Sequence, residues 1–140
     1  MTPAFSLLLA TSNRGKLAEL SALLASVCCK VADGCKPVAD GYLSVKHRDN
    51  RANSCLFSSL GTEAARGSAD LRHRMTEAVR RRIDHLGAEA KGETAEERRR
   101  AAILAWSAMV GAMLLARLVD DERLSKEILK ETRAALPLAQ

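Results

Sequence analysis

Two stretches carry side chains at spacings that could do chemistry. Thr11, Asn13 and Lys16 stand in Thr11-Ser-Asn-Arg-Gly-Lys16. This polar turn follows the apolar run Phe5 to Ala10, read as a short buried strand. It precedes a helical stretch, Leu17 to Val27, with Leu17, Leu20, Leu23, Leu24 and Val27 on one side. Strand, polar turn and helix is a layout that cradles phosphate. Phosphate chemistry also needs carboxylates to hold a divalent cation and position water, and no later strands supply them. Leu8 to Val27 is therefore read more simply as one helix with a polar, glycine-interrupted beginning. The second stretch is His47-Arg48-Asp49, read as a polar loop in which Asp49, Asn50 or Asn53 caps the following helix. Cys28, Cys29, Cys35 and Cys55 fall in no metal-ligand spacing, and no signal peptide precedes them, which predicts a reduced, cytoplasmic protein with free thiols. His73 and His85 are polar-face residues with no third ligand in reach. The sequence thus assigns no catalytic residue, no metal and no cofactor, and predicts no enzyme.

What must position any site is a set of helices. A chain of 140 residues is one domain, with 47% hydrophobic residues against disorder and 3% aromatic, few Val and few Ile in favour of helix. The organising stretch runs from Thr94 to Leu136. Thr94 and Glu97 have the spacing of a capping box, and Glu93, Glu96 and Glu97 suit the positive end of a helix starting at Ala95. From Ala101 to Val119 only Ser107, Gly111 and Arg117 interrupt the apolar residues, so the pattern leaves no solvated face. The run is near the length of a membrane span. Its alanine content, Arg117 within it and the charged remainder of the chain argue instead for a helix with its own core on one side and a second subunit on the other. Ala101, Ala105, Ala108, Ala112 and Ala116 form a stripe of small residues that lets helices approach closely.

After the acidic corner Asp120-Asp121, a second helix ending before Pro137 carries Leu124, Ile128, Thr132 and Leu136 at fourfold spacing, with Leu129 and Ala135 beside them. Two such helices meeting their symmetry mates predict a four-helix dimer bundle through Val110, Leu114, Arg117, Leu118, Leu124, Ile128 and Leu129. About six large side chains at roughly 2 kcal/mol each supply on the order of 12 kcal/mol, against an association cost of roughly 4 to 15. Upstream, Pro37 opens a short helix to about Leu43, and Ser54 to Arg66 forms a helix ended by Gly67. Asp70 caps a helix whose apolar stripe is Leu71, Met75, Val79, Ile83 and Leu86. The net charge of +5 permits an acidic partner, but the arginines lie in short runs without interleaved aromatics, so nucleic-acid binding is not predicted.

Three family resemblances attach to these residues. Leu8 to Leu20, with Thr11, Asn13 and Lys16, resembles the opening of inosine-triphosphate pyrophosphatases, whose Thr-x-Asn-x-x-Lys motif contacts nucleotide phosphates; the likeness covers only about the first 25 residues. His47-Arg48-Asp49 is similar to a kinase catalytic loop, yet Ser54 stands where the metal-binding Asn is required and no Gly-rich loop exists, so that reading fails. The segments Asp40-Gly-Tyr-Leu-Ser-Val-Lys-His-Arg-Asp-Asn50, Asn53 to Arg66, Arg99 to Asp121, Leu124 to Leu129 and Arg133 to Leu136 resemble the regulatory half of tetracycline-repressor-like (TetR) transcriptional regulators. That resemblance implies an all-α bundle over residues 37–140, dimerising through its last two helices, with residues 1–36 as a separate segment of unassigned structure. It also implies a cavity for a small apolar effector, for which Leu56, Phe57, Leu60, Met75, Val79, Trp106 and Met109 are the best lining candidates. The helix-turn-helix with which such regulators read DNA has no counterpart in the preceding stretch, so this chain alone is expected not to bind operator DNA. The alternatives are a nucleoside-triphosphate pyrophosphatase fragment acting through Thr11, Asn13 and Lys16, and a helical dimerisation module without a ligand.

Overall fold

The computed structural model describes residues 35–50 and 55–138. Six helices follow one another: α1 (Cys35–Tyr42), α2 (Val45–Asp49), α3 (Leu56–Ala65), α4 (Ala69–Glu89), α5 (Ala95–Leu118) and α6 (Glu122–Ala135). Among the described residues the only extended pairing is an isolated antiparallel bridge between Ala90 and Leu138. The expected all-α class holds there. The expected strand and turn before residue 35 lie outside the described residues.

α5 starts where its capping box predicts. The Thr94 hydroxyl accepts from the Glu97 amide at 3.1 Å, and Glu97 Oε2 accepts from the Thr94 and Glu93 amides at 3.1 and 2.8 Å. The α4–α5 turn depends on Gly92, whose φ of +149° suits only glycine; a Cβ there would stand 2.7 Å from the Arg98 nitrogen. Asp121 caps α6 by accepting from the amides of Arg123 and Leu124. Other caps differ from expectation. Ser68, not Asp70, caps α4, because the Ser68 hydroxyl accepts from the Leu71 amide while Asp70, already in the first turn, pairs with Arg74. The expected polar loop at 45–49 is the helix α2, started by Ser44, whose hydroxyl accepts from the His47 amide. Neither Asp49 nor Asn50 caps α3: Asn50 closes α2, and Cys55 occupies the α3 N-cap without a side-chain bond.

α5 is the axis of the bundle. It packs along α4 on one side and α6 on the other, with α1, α2 and α3 across its carboxyl half. Its buried face is Ala102, Ala105, Trp106, Met109, Ala112, Met113 and Ala116. The alanines draw α4 and α6 close, and Leu86 and Leu129 fill the space between them. Much of the small-residue stripe therefore serves the chain's own core. A smaller cluster of Ala64, Leu71 and Ala78, with Leu56, Phe57 and Met75 packed against it, joins α3 to α4.

The opposite face of α5 is bare. Ile103, Leu104, Leu114, Leu115 and Leu118 are exposed there, Leu104 by 60% and Leu118 by 75%. The sequence leaves this helix no polar side, so whichever face the described elements leave uncovered is apolar.

Candidate functional site

The seven residues expected to line one effector cavity fall into two environments. Trp106 and Met109 are in the main core. Trp106 is enclosed by aromatic edges and a cation: Phe57 at 5.5 Å, Tyr42 at 5.6 Å between ring centroids, and the Arg82 guanidinium 5.1 Å above the ring. Leu56 and Phe57 pack under α3, and Leu60 is half-buried on it. Met75 and Val79 instead line an open groove of about 390 Å³ between α3 and α4, together with Gly61, Ala64, Ala65, Thr76, Arg72 and Arg80. The volume is within the roughly 300–1,000 Å³ of small-molecule sites. A second open depression of about 540 Å³ lies where α4 ends and α5 begins, beside Ile83, Gly87, Arg98 and Arg99. Its charges are engaged: Arg99 pairs with Asp84 at 2.8 Å, and Arg98 donates to the Gly92 and Glu93 carbonyls.

The expected dimer residues also divide. Leu114, Leu118 and Leu124 are exposed, whereas Leu129 is 2% exposed in the chain's own core, and Ile128 and Val110 pack against that core. Ile103, Leu104 and Leu115 belong to the exposed face although the pattern reading passed over them. In a run apolar on all sides, periodicity carries no phase to tell inner from outer positions.

Arg117 works inside the chain. Its Nε and Nη2 donate to the Arg48 and His47 carbonyls at 3.1 and 2.9 Å, and its Nη1 donates to the Ser58 hydroxyl at 3.1 Å. The guanidinium thereby closes the negative end of α2 and ties it to α3 and α5. Arg48 answers from the other side, nine-tenths buried. It pairs with Asp49 at 2.8 Å and Glu122 at 2.9 Å, and donates to the Ser125 hydroxyl at 2.7 Å, which itself donates to the Ala116 carbonyl at 2.6 Å. Hydrogen bonds to Asp49 and then Glu122 raise the affinity of Arg48 for its proton, and Arg48, followed by Lys126, lowers the Glu122 carboxyl below its ordinary value. No local signal foretells this knot, since its partners lie about seventy residues apart in the chain.

Beside the knot, His47 Nδ1 donates to the Tyr42 carbonyl at 2.7 Å, and its ring meets the Tyr42 ring edge-on at 4.6 Å. The Tyr42 hydroxyl is buried and has no hydrogen-bond partner among the described residues, its polar neighbours being Cys55 and Ser58. Burial first, then Cys55, pushes its proton affinity far up, so it stays neutral. Among the described residues no group of three or more His, Cys, Asp or Glu could hold a metal ion. Thr11, Asn13 and Lys16, like Cys28, Cys29 and Asn53, lie outside the described residues.

Compared with protein-family models and with curated proteins, the chain matches none.

Proposed function

We propose that residues 37–140 act as a dimeric, effector-binding regulatory domain of the TetR-like kind in the cytoplasm, with no cofactor and no catalytic role. The observation that carries the dimer is the bare face of α5, where Leu104, Leu114, Leu115 and Leu118 flank Ser107 and Gly111. A Cβ added to Gly111 would meet no atom of the described residues within 4 Å, so the middle of this face is open to close approach by another helix. Fully burying a Leu or Ile contributes roughly 2 kcal/mol, and these four leucines with Ile103, five side chains together, are already about half covered. Hiding the rest gives about 5 kcal/mol per copy and on the order of 10 for a pair, within the roughly 4–15 that association costs. The open groove holding Met75 and Val79 supports the effector half of the reading.

α5 is also long and apolar enough to cross a membrane by length and composition. The buried Trp106, Met109 and Met113 on its other face, packed against α4 and α6, favour a protein partner over lipid. Sedimentation velocity at tens of micromolar tests the proposal. The wild type is expected to sediment as a dimer, and Leu104→Glu with Leu118→Glu as a folded monomer. A folded, monodisperse wild-type monomer removes the dimer, and flotation of the wild type with neutral lipid vesicles removes the cytoplasmic assignment.

A further inference from the structure

We propose that the α3–α4 groove takes an elongated apolar molecule with a carboxylate head, such as a medium-chain fatty acid. The inference rests on the effector-binding half of the preceding proposal and names the ligand class for it. The floor and one wall are apolar: Gly61 and Ala64 from α3, Met75 and Val79 from α4. Gly61 is inside a helix, where glycine is about 1 kcal/mol less favourable than alanine. A Cβ there would meet nothing within 4 Å. The missing side chain therefore relieves no clash with any described residue; what it leaves is empty groove.

Charge fixes the polar end. Arg72 and Arg80 stand two helical turns apart along the α4 side, about 12 Å from end to end. Arg80 pairs with Glu77 at 2.8 Å, while Arg72 forms no ion pair among the described residues. The groove thus offers an apolar trough with one uncompensated guanidinium at its edge, complementary to a single anion on a long apolar tail. A neutral or cationic head on the same tail meets the same apolar wall without the pairing.

Isothermal titration of the full chain with dodecanoate, dodecanol and dodecyltrimethylammonium, each below its micelle concentration, tests this. Dodecanoate is expected to saturate at one molecule per chain. Dodecanol should bind roughly tenfold or more weaker, as a charge-assisted hydrogen bond is lost. Arg72→Gln should bring dodecanoate down to the dodecanol level and leave dodecanol unchanged. Gly61→Leu, which fills the groove, should abolish binding of both, and Gly61→Ala should retain it; circular dichroism checks that both variants fold. Equal binding by wild type and Gly61→Leu, equal binding of the three amphiphiles, or no saturable binding of dodecanoate overturns the proposal. Sedimentation of the same samples separates the two proposals: absent binding with an intact dimer refutes only the groove, and a monomer that binds dodecanoate refutes only the dimer.

Discussion

Replacing Arg117 by Met keeps the apolar stem and removes the guanidinium. Two carbonyls at the end of α2, from His47 and Arg48, then lose a charged donor, as does the Ser58 hydroxyl. The hydroxyl keeps the bond it donates to the Cys55 carbonyl at 3.1 Å and so remains partly satisfied. The helix end loses its compensating positive charge. Hydrogen bonds to charged groups contribute about 1.5–3 kcal/mol each, part of which solvent recovers at a half-buried site, so the expected loss is about 2–4 kcal/mol. For a domain of this size that corresponds to a fall in Tm of roughly 8–16 °C. Arg117→Lys should recover only part, because an ammonium lacks the planar fork that reaches both carbonyls. Urea and thermal unfolding measure the loss, and repeating them at two protein concentrations separates an internal role from an intersubunit one, since only the latter depends on concentration. A loss below about 0.5 kcal/mol, or dissociation of the dimer with unchanged subunit stability, would refute the assignment of Arg117 to the chain's own knot and return it to the interface that its sequence position suggests.

Other perturbations follow from the same geometry. Tyr42→Phe removes a buried hydroxyl that has no hydrogen-bond partner among the described residues, so stability should stay within about 0.5 kcal/mol of wild type or rise, as read by urea unfolding. Gly92→Ala forces a Cβ into the first turn of α5 at a φ of +149° and should cost about 1–3 kcal/mol, with the lowered midpoint seen by thermal circular dichroism. The carboxyls of Glu97 and Glu122 are lowered from 4.5, Glu97 mainly by the Thr94 and Glu93 amides and Glu122 mainly by Arg48. Their folded values lie below their unfolded ones, so their contribution is full above about pH 4.5 and is lost as the pH falls through the lowered values. Midpoints measured across that window should show a flatter acid slope in Glu97→Gln than in wild type.

Local chemistry was legible where one residue speaks to its close neighbours. The Thr94–Glu97 box and the two helices that follow it and the Asp120-Asp121 corner lie where the pattern puts them, and the α4 stripe of Leu71, Met75, Ile83 and Leu86 does pack against the core. Ser68 and Asp70, two residues apart, are equally good capping types, and only backbone conformation separates them. The five polar-rich residues of α2 carry too little periodicity to mark a helix; what holds it as one is Arg117, far along the chain.

Legible in the sequence alone were the helical class, the start of α5 and the lack of a polar side along it. These follow from caps, glycine and hydrophobic content, whose physics is local. Only tertiary structure decided which side of α5 is buried, that Arg117 and Leu129 face inward while Leu104 and Leu115 face outward, and that Met75 and Val79 share an open groove rather than a cavity with Trp106. A helix apolar all round has no sequence-encoded inside; packing against α4 and α6 chooses it.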